Sequence, residues 1–543
     1  MNPQVSSGRR AGVIQQLRDT SAVFDLVVIG GGITGAGIAR EAAASGLKTL
    51  LIEQKDFAWG TSSRSSKMVH GGLRYLGSGH FRLTRDAVRE RERLMKEAPG
   101  LIDPLRFVMP HFHKQFPGPR LFQLLLRLYD RIAGNRSRHY LTPGQTQQWV
   151  PGLQTNGLAG ASGFTDAVTD DARLVQRLIE EARSAGATCV NYVAASDILR
   201  SPGPDHSVTG VRLTDTERPQ DGSFDVTTAL VINATGAWAG RLHTATSETA
   251  RIRPLRGSHL IVPFSSLPVS CSVSLFHPRD GRPVFAFPWQ GTTVLGTTDL
   301  DHREDLDREP AITPEEVDYL LEVADTLFPG QRLAHGDVIA TWAGVRPVVS
   351  SGNSKAPSKE NREHVFWEDD GLISIAGGKL TTFRLIAREA LQRGAPQLPG
   401  AFALRADQQA VFSAAPVMER PAALSHLQWH RLQGFYGPLL PDVLAEQDLQ
   451  PVARNGDVVW AEVLWACRSA DVVHLDDLML RRTRLGLTLA DGGAELLATL
   501  KARCQHLLGW DDERWQAETD RYRGIWRAAY SMPETGKGAG DDQ

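Results

Sequence analysis

Four successive apolar residues, Leu26, Val27, Val28 and Ile29, run into Gly30-Gly31-Gly32-Ile33-Thr34-Gly35 and then into a stretch with helical spacing. A second apolar run, Thr49-Leu50-Leu51-Ile52, ends in Glu53. This order predicts a strand, a glycine turn, a helix and a second strand, the βαβ unit. Further along, 81–97 has a helical, heavily charged pattern that Pro99-Gly100 ends, and 171–185 reads as a helix with an acidic start. Short β-like runs follow at 188–193, 208–213 and 230–232, the last leading into Asn233-Ala234-Thr235-Gly236. From 253 to 298, apolar and β-branched segments alternate with proline and glycine turns, as in an antiparallel sheet. Residues 372–376 form a strand that enters Gly377-Gly378-Lys379-Leu380-Thr381-Thr382 and a helix reaching about Arg393. The pattern beyond Pro399 is helical through Tyr530, with a polar tail from Pro533.

In the first unit, Gly30 permits the tight turn, Gly32 lets backbone approach a pyrophosphate, and Gly35 lets helix and strand pack closely. A diphosphate would rest on the helix N-terminus, where free N–H groups and the dipole favour negative charge. Glu53 would accept hydrogen bonds from an adenosine ribose. A glycine-rich turn of an ordinary α/β protein is the bland alternative, and the strand, helix and acid in their proper places argue against it.

Composition narrows the classes. A chain of 543 residues with 41% hydrophobic and 22% charged residues can build several cored units. Its 60 basic and 62 acidic residues nearly cancel, so the overall field gives no case for nucleic acid, and any anion site is local. Cys189, Cys271, Cys467 and Cys504 are far apart, without a C-x-x-C pair, which disfavours disulfides, iron–sulfur clusters and zinc and fits a reducing compartment. No metal site is expected. Residues 1–22 lack a secretory signal pattern and read as a flexible extension, and no window has the ~20 apolar residues that span a bilayer.

The second glycine-rich strand-to-helix junction suggests a cofactor held at two ends. A helix beginning near Thr381 would aim N–H groups and Lys379 at the pyrimidine edge of a flavin, where reduction concentrates negative charge; a plain helix cap is the alternative. The polar loop 59–67, with Thr61, Ser62 and Ser63, would enter a cleft. Arg346, between β-like runs, needs an anionic partner: a substrate phosphate or carboxylate, or a surface ion pair. Arg74 faces the same choice beside Gly71-Gly72, and Tyr75 either shares that anion or packs in a core. His259 and His70 are the candidates for a base near neutrality, either of which could instead be structural. On a helix over 120–132, Leu121, Leu124, Leu125, Leu128 and Ile132 share a face, Phe122, Leu126 and Tyr129 widen it, and Arg120, Arg127 and Arg131 lie opposite. Such a helix lies in a membrane interface or packs on its own domain.

Together, Gly30–Gly37, Thr61-Ser62-Ser63, Ser65-Ser66-Lys67, His70-Gly71-Gly72-Leu73-Arg74-Tyr75, Asp170-Asp171-Ala172-Arg173-Leu174, Asn233-Ala234-Thr235-Gly236, Gly257-Ser258-His259, Gly296-Thr297-Thr298-Asp299, Gly344-Val345-Arg346-Pro347 and Gly377-Gly378-Lys379-Leu380-Thr381-Thr382 resemble the FAD-dependent glycerol-3-phosphate dehydrogenases of the aerobic, respiratory type. The likeness runs in order over about 24–390, and Arg481-Arg482-Thr483-Arg484-Leu485-Gly486 is similar to that family's helical cap. It implies an α/β fold: a Rossmann-type FAD-binding domain of the D-amino-acid-oxidase class over 23–395, an interleaved antiparallel substrate sheet at about 253–350, and a C-terminal helical cap domain over 396–543. It also implies oxidation of sn-glycerol 3-phosphate to dihydroxyacetone phosphate, with electrons passing to a membrane quinone. The expected location is cytoplasmic, peripheral at the inner face of the cell membrane, with a homodimer as one assembly. By the resemblance, FAD would touch Gly30, Gly32, Gly35, Glu53, Thr61, Ser62, Ser63, Ala234, Gly236, Gly378 and Thr381. Arg74, Tyr75, Arg346 and Lys379 would hold the substrate, with His259 first and His70 second as proton acceptor. An oxygen-dependent oxidase, an amine or amino-acid oxidase of the same fold, and a non-catalytic flavin scaffold at the membrane are the competing readings.

Overall fold

The computed structural model describes residues 6–19, 22–73, 76, 81–116, 118–202, 206–242, 252–349, 363–400, 402–454 and 456–534. The predicted βαβ unit forms from Leu26–Ile29, Ile33–Ala44 and Thr49–Glu53, with the two strands parallel. They are central in a six-stranded sheet whose order is Val365–Asp369, Leu372–Ala376, Val231–Asn233, Leu26–Ile29, Thr49–Glu53, Thr188–Asn191. All its pairs are parallel except the antiparallel edge formed by Val365–Asp369.

The uninterrupted apolar runs follow from burial on both faces. Leu26, Val28 and Leu51 enter a core with Ile38 and Ala42 of the first helix, Leu178 of Asp171–Ser184 and Phe383 of Phe383–Arg393. Val27, Ile29, Leu50 and Ile52 point the other way, against Val211, Leu213 and Val226 of a three-stranded antiparallel sheet. The pleat distributes each run between two layers.

Over its described part, 6–19, the N-terminal segment corrects the expectation of a flexible extension over 1–22. Ser6–Asp19 is a helix whose Ile14 and Leu17 are buried in that second core. Arg9 pairs with Asp471 at 2.6 Å and Arg10 with Asp215 at 2.5 Å. Two apolar residues three apart supply one docking face.

A second, ten-stranded sheet is larger than the expected insertion at about 253–350. It also takes Met68–Val69, Ile102–Phe112 and Leu158–Thr169 from earlier in the chain. The strand Ile252–Pro263 pairs with Ala340–Val349 in a register that sets Gly257 opposite Gly344 and His259 opposite Trp342. The C-terminal region is helical, including His426–Tyr436, Trp460–Ser469, Leu497–Leu508 and Asp512–Ala529. Its Leu432, Trp465 and Leu478 belong to the same continuous core as Ile38 and Leu178, so it packs as part of the main body. The tail beyond Glu534 lies outside the described residues.

The helix predicted over 120–132 spans Pro119–Ala133. Phe122, Leu126 and Tyr129 pack inward, while Leu124 is 62% exposed and Leu121 and Leu128 are exposed beside it. The helix therefore both packs on its own domain and keeps an uncovered apolar strip.

Candidate active site

One cavity of about 870 Å³ lies between the two sheets and reaches both glycine-rich junctions. At its first end it is lined by Gly30, Gly32, Glu53, Thr61, Ser62, Ala234 and Gly236. Gly30 has φ +110°, and a Cβ there would meet the Ala234 carbonyl oxygen at 2.7 Å. Gly35 is off the cavity wall and acts through packing, since its Cβ would fall 1.9 Å from the Gly30 oxygen. The helix starting at Ile33 has no side-chain cap from Gly32, and the Ser62 hydroxyl accepts from Ile33 N–H at 2.9 Å. Glu53 accepts from Gly31 N–H at 2.7 Å and Lys55 N–H at 2.9 Å. Burial holds its carboxyl above the usual range, and those backbone donors pull the other way. A carboxylate has about four lone-pair sites, which leaves room for ribose hydroxyls. An open helix start, close backbone and a partly engaged acid fit a dinucleotide.

Ser63 is the exception among the expected cofactor contacts. It is buried off the wall, and its carbonyl accepts from Lys67 Nζ at 3.1 Å. The polar loop 59–67 borders the cavity and is also largely buried: Arg64 is paired with Glu309, and Lys67 with Asp171 at 2.9 Å. Burial lowers the Lys67 ammonium to about 8 against the opposing pull of Asp171.

At the other end the wall carries His70, Arg346, Gly378, Lys379 and Thr381. The Thr381 hydroxyl lies 3.2 Å from both the backbone N and the carbonyl O of His70, tying the second junction to the loop. Arg346 donates to Asp299 Oδ1 at 3.2 Å and to the Thr297 hydroxyl at 3.4 Å, and its side chain is 25% exposed. The guanidinium thus has an internal carboxylate partner and still faces the cavity. Arg74 and Tyr75 lie outside the described residues.

His259, the first choice as base, is not on the wall. It is 1% exposed, its ring stacks on Trp342 at 4.6 Å, and its Nε2 is 2.9 Å from the Ser66 hydroxyl, which does line the cavity. Burial first, then the charges of Arg346 and Lys67, pull its pKa well below the ordinary value, so the ring is neutral. Of the two histidines, His70 lines the cavity, and His259 reaches it only through Ser66. Sequence reasoning assigned no role to Ser66 or Asp299. Ser66 belongs to Ser65-Ser66-Lys67 and Asp299 to Gly296-Thr297-Thr298-Asp299, yet their partners are 193 and 47 residues away, so only the folded chain brings them together.

Residues 25–392 match the family of FAD dependent oxidoreductases, and 393–515 match the C-terminal domain of alpha-glycerophosphate oxidase. A glycerol-3-phosphate dehydrogenase of Mycobacterium leprae is 34% identical over 524 residues, covering 92% of this chain and 87% of its own. The chain belongs to the FAD-dependent glycerol-3-phosphate dehydrogenases. Among solved structures, a glycerol-3-phosphate dehydrogenase from Bacillus halodurans complexed with FAD has TM-score 0.74 and 27% identity, covering 96% of this chain and 97% of that one. An L-alpha-glycerophosphate oxidase from Mycoplasma pneumoniae with FAD bound shares the fold at TM-score 0.57 and 18% identity, over 73% of this chain and all of its own, 100%. Membership of this family makes FAD the cofactor. The D-amino-acid-oxidase class of fold and its C-terminal helical domain are as expected.

Proposed function

We propose that this member of the family oxidises sn-glycerol 3-phosphate to dihydroxyacetone phosphate and passes the electrons to a membrane quinone. The observation that carries the reading is the continuity of one cavity from the Gly30 and Glu53 end to Arg346 and Lys379. FAD, when bound, supplies the acceptor for the hydride that leaves C2. Arg346 offers a fork suited to phosphate oxygens, and Asp299 and Thr297 hold its plane in place. Lys379, at the start of the Leu380–Thr382 turn, adds a second positive charge for the negative charge that builds on the C2 oxygen as its proton leaves, before loss of hydride makes it the ketone. The hydroxyl proton passes to His70 on the cavity wall, while Ser66 bridges the neutral His259 ring to the cavity. Arg74 and Tyr75 complete the anion site in this reading.

The apolar part of the cavity favours a lipophilic acceptor. Phe107, Met109, Phe164 and Phe285 lead to Phe122 and Leu125 of Pro119–Ala133, whose outer face bears Leu121, Leu124 and Leu128. No helix among the described residues is long and apolar enough to cross a membrane. A peripheral site at the inner leaflet, with this helix in the interface and its arginines near lipid phosphates, joins cavity to membrane.

Anaerobic stopped-flow mixing tests the substrate: glycerol 3-phosphate should bleach the flavin band, whereas glycine and sarcosine should not. Bleaching by the amino acids alone would replace this reading with an amine oxidase. Reduction of a ubiquinone analogue without peroxide release supports the quinone, and stoichiometric peroxide would make the protein an oxidase. Replacing Leu121, Leu124 and Leu128 together by serine should release the protein from anionic liposomes while dye-linked turnover persists. Unchanged liposome binding would remove the helix from that role.

A further inference from the structure

The arginines of 481–484 have no part in the chemistry above, yet they are among the most buried charges in the chain, each at most 5% exposed. Arg482 donates to both oxygens of Asp56 at 2.7 Å, and Arg481 reaches the same carboxylate at 2.5 Å. Asp56 follows Glu53 by three residues. Arg484 spans Asp170 at 3.1 Å and Asp171, the two acids at the start of Asp171–Ser184.

Asp171 is the hub of this arrangement. Besides Ala172 N–H of its own helix at 3.0 Å, its carboxylate accepts from the cavity loop: Ser65 N–H at 2.9 Å, the Ser65 hydroxyl at 2.7 Å and Lys67 Nζ at 2.9 Å. Between those two residues stands Ser66, whose hydroxyl separates His259 from the cavity. Trp342, which stacks on His259, donates its Nε1–H to the Ser65 carbonyl at 3.2 Å. The same loop is held a second time from the C-terminal region, where Arg64 donates to the Tyr530 hydroxyl at 3.0 Å.

The backbone of Arg484 adds an independent sign. Its φ is +61° at 2% exposure, a left-handed conformation that is costly for a residue with a long side chain and persists only where surrounding contacts enforce it. Its side chain also donates to the Leu480 carbonyl at 2.7 Å, which folds the segment so that the guanidinium points at the acid pair.

We propose that Arg484 is a positioning residue for the reaction, acting from the C-terminal region through Asp171 to fix Ser65, Ser66 and Lys67 where the loop meets the cavity. The C-terminal region is then a structural half of the active site, and its integrity sets the place of the Ser66 hydroxyl. This inference rests on the substrate reading only for its kinetic consequence; the ordering of the loop stands apart from it.

The test uses the full-length holoenzyme with Arg484→Met, Arg484→Lys, Tyr530→Phe and, as a control, Arg431→Gln, which breaks an ion pair to Glu462 wholly within the C-terminal region. Hydrogen exchange by mass spectrometry reads the peptide covering 61–70 against that covering 33–44. Arg484→Met should raise exchange in 61–70 by at least about tenfold with 33–44 and bound flavin unchanged, and Arg484→Lys should recover part of the protection. The limiting rate of flavin reduction by glycerol 3-phosphate should fall in the same order, with KM changed much less. If Arg484→Met does not fold, the Lys and Tyr530→Phe variants carry the same comparison with smaller shifts. Exchange in 61–70 that stays at the parent level in the variants that fold, or rises equally in Arg431→Gln, overturns the proposal. A parent enzyme that glycerol 3-phosphate fails to reduce would overturn the substrate reading while leaving the exchange result to judge Arg484.

Discussion

Gly257→Ala tests the anion site from beneath. A Cβ at this position would sit 2.5 Å from Arg346 Nη2 and 2.8 Å from the Thr297 hydroxyl, against an ordinary contact distance of 3.4 Å. The difference, 3.4 minus 2.5, means the guanidinium must retreat by about 0.9 Å, which a flexible side chain can do without unfolding the strand. That retreat is enough to break one charge-assisted hydrogen bond of a fork, worth about 1.5–3 kcal/mol. At 1.4 kcal/mol per factor of ten, the apparent Kd for glycerol 3-phosphate should rise about tenfold to a hundredfold. The assay is the concentration dependence of flavin bleaching under anaerobic stopped flow, with flavin content measured from the absorbance of the same preparation. The nearest neighbours of the new methyl are Arg346 and Thr297 and none belongs to the Gly30 turn, so flavin content should stay at the parent level. An apparent Kd within about twofold of the parent, with full flavin content, would refute the claim that the Arg346 fork grips the substrate.

Gly30→Ala should abolish stoichiometric FAD, because the new methyl would lie 2.7 Å from the Ala234 carbonyl oxygen at φ +110° and has nowhere to move; a yellow, fully loaded variant would contradict this. His474 links Glu217 at 3.1 Å to Glu518 at 2.9 Å; burial alone would lower its pKa, but these carboxylates hold it up at about 10, above the ordinary 6.5. Its contribution to stability is therefore complete below about pH 6.5 and is lost as pH rises through about 10. His474→Gln should flatten the fall of Tm between pH 7 and 10, and an unaltered Tm profile would show that the proton is not retained. Asp299→Asn should remove the carboxylate charge that Arg346 meets at 3.2 Å, raising KM while flavin content holds, as read by dye-linked turnover and absorbance.

Local pattern determined the cofactor half of this protein. The βαβ unit, Glu53 and the Gly377-Gly378 junction are continuous stretches whose shape follows from strand-to-helix order, so the residues carry their own geometry. The helix at 119–133 was legible by its period, but which of its two apolar strips faced inward depended on Phe164 and the sheet beneath it. The N-terminal helix was missed because Ile14 and Leu17 gain their meaning only from a core assembled out of later strands.

The Arg346 end of the cavity was decided by tertiary structure. His259 looks like an accessible base along the chain, yet the pairing of Ile252–Pro263 with Ala340–Val349 lays it against Trp342 and leaves Ser66 at the surface of the cavity. Asp299 under Arg346, and Arg484 on Asp171, join residues 47 and 313 positions apart. A charge can be buried only where another element brings its partner, and no spacing within a single segment records that meeting.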